Sequence, residues 1–394
     1  MRAPILLADC QLPNGTLADL LIEGGRIAAI DGSGAVTSPA ADRIDAHGRL
    51  VTPGLTDPHL HPDKAFGLDD EEASAASLQE AIARVRARKP FETAEAIRER
   101  SNRLLRWCLS FGTTRVRVHA EVDPYLQLRS VAGVLAAKAD LAGLMKVQVV
   151  AFPQEGIARE PGTLALLREA LVMGCDVVGA ISYQDADARE HLAAAAGLAR
   201  EFDRPLDVHA DFGIAPAKSA LCLLADITRE LGLEGRVTAG HCTTLAKFDS
   251  ADRDRVTARL REAAITVVAL PRTDVFLDGV IAPLELLRAQ GVRCAIGTNN
   301  VRNSFTPVGR PSLPSAAALY ALVRRQSTKE SLAASAIGLW EAGAICGDEA
   351  AIAVGAPADI CLWPVKEPWQ IVATEAEPDL VFSAGRLVSG RQAG

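Results

Sequence analysis

Paired cysteines, basic blocks and long apolar runs are missing from this chain, and each absence removes a class of protein. Eight cysteines are present (Cys10, Cys108, Cys175, Cys222, Cys242, Cys294, Cys346, Cys361), but none stands in a CxxC pair. Most lie in apolar segments, so they read as buried thiols in a reducing compartment. No Lys/Arg-rich stretch relieves a formal net charge of −7, which argues against a nucleic-acid partner. No run reaches transmembrane length, so no membrane association is expected. The opening "MRAPILLADCQLPNG" breaks at Asp9 and is too short for a signal peptide. A soluble, cytoplasmic protein is expected. Repeats and coiled-coil patterns are absent too, which disfavours a scaffold role. Self-association into a symmetric homo-oligomer is expected on general grounds.

What is present is a chain of 394 residues, 49% apolar, enough for one large core and a small second one. Its two ends resemble each other. Residues 4–50 hold short strand-like runs such as "ILLADC", "LADLLIEG" and "RIAAIDG", punctuated by turn residues. Residues 351–390 repeat the pattern with "ADICLWPV", "DLVFSAG" and "RLVSG". Neither set makes a stable unit alone. Residues 1–50 plus 351–394 are therefore expected to form one small β-sandwich, with 51–350 as a separate domain.

Within 51–350, β-rich runs alternate with Ala/Leu/Arg-rich helical stretches. Eight strands are predicted: Val51–Thr56, Thr114–His119, Lys146–Phe152, Asp176–Ile181, Leu206–His209, Arg236–His241, Ile265–Leu270 and Val292–Gly297. The helices between them carry apolar residues every three or four positions, and stop signals stand at Gly174 and Gly291. Eight β/α units over about 250–300 residues match an α/β (β/α)8 TIM barrel. The rival doubly wound sheet lacks its GxGxxG fingerprint.

Five of the seven histidines fall at carboxyl ends of these strands, where such a barrel builds its active site. His59 and His61 follow strand one; His119, His209 and His241 belong to strands two, five and six. His47, in a turn, and His191, inside a helix, read as structural. Residues two apart on a strand point the same way, so His59 and His61 can face one ion. Neutral imidazoles at roughly 2.0–2.1 Å suit zinc or ferrous iron. His209 and His241 strengthen the metal reading.

The segments "VTPGLTDPHLHPDKAF", "GTTRVRVHAEVDP", "VQVVAFPQEGI", "DVVGAI", "PLDVHAD", "VTAGHC" and "GTNNVRNSFTPVG" occur in that order. Together they resemble the amidohydrolase superfamily, and within it the cytosine deaminase and N-isopropylammelide amidohydrolase group. The resemblance extends through "VGAPADICLWPV" and "VFSAGRLV" and so covers almost the whole chain. It implies a metal-dependent hydrolase acting on a C–N bond of a small N-heterocycle, cyclic amide or amidine, with one divalent ion, zinc or iron. Carried over by position, it makes His59, His61 and His209 the metal ligands and His241 the holder of the reacting water. Gln154 becomes the amide that reads the substrate's ring edge, a role its paired donor and acceptor suit.

Two positions depart from the resemblance. Its strand-eight aspartate, a metal ligand and proton acceptor, is Asn299 here. Its proton-shuttling glutamate, three residues after the strand-five histidine, is Phe212 on the substrate side. Neither side chain exchanges protons near pH 7. Asp211, Asp274 and Asp185 follow predicted strands and are candidate replacement acids. Lys64 and Arg272 are candidate cations for an anionic or electron-rich substrate, whereas Arg302 reads as a surface group. Two outcomes stay open: hydrolysis by a modified site, with the ion weakly held, or a fold that binds a small molecule without turnover.

Overall fold

A computed structural model describes residues 3–70, 75–347 and 350–390. Eight parallel strands form one sheet in chain order: β1 (Leu55–Leu60), β2 (Thr113–Glu121), β3 (Lys146–Phe152), β4 (Val177–Ile181), β5 (Leu206–Ala210), β6 (Val237–His241), β7 (Thr266–Ala269) and β8 (Cys294–Ile296). The sheet closes just beyond β8. There Asn299 donates its N–H to the His59 carbonyl (2.9 Å) and accepts from the His61 N–H (2.8 Å). Helices cover the outside, so strand residues pointing outward meet apolar helix faces. The stop signals hold: the helix Thr163–Met173 ends on Gly174, whose φ of 116° only glycine adopts readily.

The termini build two four-stranded sheets. One orders Arg26–Gly32, Leu17–Glu23, Ile5–Gln11 and Asp42–Asp45; the other orders Arg386–Gly390, Leu380–Ser383, Ile360–Leu362 and Val51–Pro53. Leu7, Leu20 and Ile27 of the first meet Ile360, Leu362 and Phe382 of the second in one buried core, giving a small sandwich beside the barrel.

The first predicted strand, Val51–Thr56, needs correction. Val51–Pro53 pairs antiparallel with Ile360–Leu362 in the sandwich, and the barrel strand begins only at Leu55. Gly54 separates the two, passing so near Thr114 that a Cβ there would lie 2.2 Å from its hydroxyl. His59 therefore sits on β1 itself rather than after it.

Alternation along the last sandwich segment joins the two bodies. Ile360 and Leu362 face the sandwich core, whereas Cys361 and Trp363 face the barrel core. Trp363 is fully buried and donates Nε1–H to Thr52 Oγ1 at 2.9 Å. Trp363→Ala is expected to lower stability by about 3–5 kcal/mol through the cavity it leaves. A urea midpoint unchanged from wild type would refute this seam.

The same alternation fills the barrel interior with polar side chains. Arg117 on β2 bonds Gln148 on β3 (2.8 Å), Asp207 on β5 (2.9 Å) and Thr238 on β6 (3.0 Å). These groups form a floor, and on β2 and β5 a histidine, His119 or His209, lies two residues further along the strand.

Candidate metal centre and substrate cavity

Above that floor, three imidazoles meet. His209 Nε2 lies 3.2 Å from His59 Nε2 and 3.0 Å from His61 Nε2, and all three rings are buried. Gly240 on β6 leaves the room: a Cβ there would come within 3.0 Å of His59 Cε1. Burial, and after it the neighbouring cationic and imidazole groups, holds all three well below the ordinary histidine value. They are therefore neutral at pH 7, the form that ligates metals.

The donor set fits a divalent ion. Two nitrogens each about 2.0–2.1 Å from one ion stand roughly 2.9–3.4 Å apart at angles of about 90–110°; the contacts of 3.0 and 3.2 Å lie in that range. His209 Nε2 has one in-plane lone pair or proton for two imidazole neighbours, so the protein alone leaves one contact unsatisfied. Asn299 lines the same cavity, and its buried Oδ1 has no hydrogen-bond partner among the described residues.

A small cavity, partly open to solvent, reaches this centre. Among its walls are His61, His209, His241, Gln154, Lys64, Phe212 and Asn299, so most residues expected at the site are brought together. The helix Leu78–Arg88 forms a roof, laying Leu78 and Ala81 against Phe212 and Phe305. Gln154 is buried, and its amide is not committed to a protein partner among the described residues. It rides on a loop that Asp185 clamps by accepting N–H groups of Ile157, Ala158 and Arg159 at 2.9–3.0 Å.

Lys64 lies 3.4 Å from His61 Nδ1 and pairs with Glu121. Glu121 also meets Lys89 Nζ (2.9 Å), which in turn binds Asp123 (2.7 Å) and Glu155 (2.8 Å). Burial pushes the Glu121 carboxyl up, but Lys64 and Lys89 outweigh it and bring it down to about 2.

His241 donates Nδ1–H to Asp274 Oδ1 at 2.6 Å, which leaves Nε2 as its nitrogen for the cavity. Asp274 Oδ2 accepts the Leu270 N–H at 2.8 Å, so both carboxylate oxygens act as acceptors. Burial raises this carboxyl and His241 opposes the rise. The Phe212 ring stacks on the His241 ring, centroids 4.0 Å apart at 13°.

Four expectations are corrected here. Asp274 stands behind His241 and not on the cavity wall, so its partner is the imidazole rather than a substrate. Asp211 points away as well: its φ is 50°, and its carboxylate accepts from Ala220 N (3.0 Å) and Thr244 Oγ1 (2.8 Å), tying two loops together. Asp185 is held by His191 Nδ1–H (2.7 Å) and backbone amides, which exhaust it as a reacting acid. Arg272 donates to the Arg310 carbonyl (3.3 Å) and Ser315 Oγ (2.8 Å), outside the cavity. Arg302 lies beside Asp69 at 3.6 Å and over the Phe66 ring.

Sequence reasoning missed Leu78, Tyr183, Thr273 and Phe305, which with Asn300 complete the cavity. No local signal marks them, because they come from loops and a helix. It also missed Asp207, although the spacing in "LDVHAD" places Asp207 and His209 on one strand face.

At the mouth of a closed eight-stranded barrel, then, three histidines converge in an arrangement that could hold a metal ion. A model of the amidohydrolase family matches residues 42–160 and 90–389, and the chain belongs to that family. N-isopropylammelide isopropyl amidohydrolase of Pseudomonas sp. (strain ADP) is 27% identical over 391 residues, covering 94% of this chain and 93% of that protein. The structure of 5-methylcytosine deaminase from Klebsiella pneumoniae with phosphonocytosine superposes with a TM-score of 0.93 at 26% identity, covering 99% of both chains. N-isopropylammelide isopropylaminohydrolase from Burkholderia multivorans ATCC 17616 gives a TM-score of 0.89 at 28% identity, again over 99% of both. Among the described residues, no helix is long and apolar enough to cross a membrane.

Two outcomes test the centre. Isothermal titration of metal-free protein with zinc should show one site per chain, and His209→Ala should abolish it; an unchanged isotherm would remove the site. Glu121 has a depressed carboxyl, so its stabilisation is complete above its ordinary value of 4.5 and is lost as pH falls toward about 2. Urea midpoints measured across that window should fall less steeply in Glu121→Gln than in wild type.

Proposed function

We propose that the protein is a metal-dependent hydrolase that cleaves a C–N bond of a small N-heterocycle, cyclic amide or amidine, with proton transfer entrusted to a His241–Asp274 dyad. One observation carries the reading: the His59, His61 and His209 nitrogens converge at a cavity whose wall also presents His241, its ring 5.4 Å from that of His209 and backed by a carboxylate at 2.6 Å. The relatives named above, by their printed names a deaminase and amidohydrolases, support the same reaction class.

His59, His61 and His209 would hold the ion, zinc or iron, and the Asn299 amide oxygen is the neutral acceptor beside them. When bound, a divalent ion supplies Lewis acidity, polarising the scissile C–N centre and acidifying water. His241 takes a proton from the attacking water at Nε2 while Asp274 holds Nδ1–H and offsets the imidazolium charge. As water oxygen bonds to the ring carbon and the C–N bond breaks, the same proton passes to the departing nitrogen. Gln154 pairs with the ring's N–C=O edge, and Lys64 offers a cation to a ring oxygen or anion. Phe212 and the roof helix keep bulk water off the His241 face. Replacing a carboxylate by Asn299 leaves the ion more positive, which weakens its retention. A cytoplasmic homo-oligomer acting on a small molecule is the setting we propose.

A second reading, binding without turnover, is favoured by Phe212, which covers the imidazole where the resemblance expects a glutamate. The test is ammonia or amine release from a panel of aminopyrimidines, aminotriazines and cyclic amides, using zinc-, iron- and manganese-loaded protein. The hydrolase reading expects turnover of at least one compound, and Asp274→Asn should lower kcat by about 10²–10⁴-fold. Tight binding of panel compounds with no release, converted to turnover by Asn299→Asp with Phe212→Glu, would sink it in favour of the second.

A further inference from the structure

Beneath the metal centre lies a second set of ligand-type groups. His59, His119 and Asp207 each place a donor atom within 4.8 Å of the others, all fully buried. Asp207 Oδ1 is 3.1 Å from His119 Nε2 and 3.7 Å from His59 Nδ1. By chemistry alone the trio could take an ion.

Arg117 argues otherwise. Its Nη1 is 2.9 Å from Asp207 Oδ2 and is pinned by Thr238 Oγ1 at 3.0 Å, while Nε is pinned by Gln148 at 2.8 Å. A dication next to a fixed guanidinium, with no solvent to screen the two, would be strongly repelled. Asp207 thus neutralises Arg117 through Oδ2 and keeps Oδ1 for the imidazoles.

His59 shows what that oxygen is for. A neutral imidazole that offers its Nε2 lone pair must carry its proton on Nδ1. Among the described residues His59 Nδ1 is buried without a hydrogen-bond partner, and the carboxylate facing it, at 3.7 Å, is Asp207. His119 adds a mechanical link. Its ring lies 4.0 Å from the His59 ring and 4.8 Å from the His61 ring, tilted about 30° to each, and its Nε2 is tied to the same carboxylate.

We propose that Asp207 is the positioning residue of the metal centre: anchored by Arg117, it fixes the Nδ1–H form of His59 and, through the His119 ring, the tilt of His59 and His61. The inference rests on the metal-centre reading above. Outer partners of this kind are worth about 10–100-fold in metal affinity.

The test is zinc affinity of the full chain, measured by competition with a chromophoric chelator, together with the visible spectrum of the cobalt(II) form. Asp207→Asn should weaken zinc binding by about 10–100-fold and shift the cobalt bands. Asp359→Asn breaks another buried pair, with Arg115 at 2.9 Å, away from the centre, and should leave both readouts unchanged. If Asp207→Asn alone does not fold, Arg117→Met with Asp207→Asn removes both charges and must show the same loss. Wild-type affinity and spectrum in whichever variant folds would overturn the inference alone. A wild-type chain that binds no zinc would overturn the metal reading, and the inference with it. An equal loss in Asp359→Asn would reduce Asp207 to a general packing role.

Discussion

The seam between the last barrel strand and the first is the constraint on which the rest depends. Asn299 bonds through its own backbone to His59 and to His61, so the hydrogen bonds that close the barrel flank the HxH pair on its main chain. Its φ of 61° lies in the left-handed region, where asparagine is several-fold enriched among non-glycine residues. His209 comes from β5, on the far side of the ring of strands. The run of paired strands β1 to β5 links it to the β1 histidines on one side, and the seam closes the ring on the other.

The groups around that seam are charged, and their pairing explains why burial does not expel them. Lys89 sits among three carboxylates, Lys64 against Glu121, and Arg117 against Asp207. A buried charge without a partner costs several kcal/mol, whereas paired ones are tolerated and hold a fixed geometry. The barrel interior is thus an ion-paired frame, and His59, His61 and His209 are held neutral beside it. Neutrality follows from burial and from cations already in place, which disfavour another positive charge.

The proposed chemistry shifts proton handling away from the cavity wall. Where the resemblance places a glutamate, Phe212 stacks on His241, and where it places an aspartate, Asn299 offers only an amide oxygen. The carboxylate that remains in contact with a cavity imidazole is Asp274, one layer further out. A histidine backed in this way can accept and return a proton without exposing an acid to the substrate. An apolar face then serves the ring or leaving group.

Much of this was legible in the chain. Seven of the eight barrel strands were readable from β-rich runs bounded by turn residues, and the HxH spacing announced two side chains on one face. The first strand was misplaced because Val51–Thr56 reads as one strand across Pro53-Gly54; pairing of Val51–Pro53 with Ile360–Leu362 cuts it at Gly54, and the barrel strand runs on to Leu60. The site acids were harder. Asp211, Asp274 and Asp185 all follow strands and look equivalent as text, yet one ties loops, one backs His241 and one clamps the Gln154 loop. Periodicity is a local property, fixed by which way successive side chains point, so the sequence by itself determined the strands, the helices and the inward-facing histidines. Which carboxylate meets which imidazole, where Arg272 is spent and what Phe212 covers depend on distances between segments far apart in the chain, and only the closed barrel decided them.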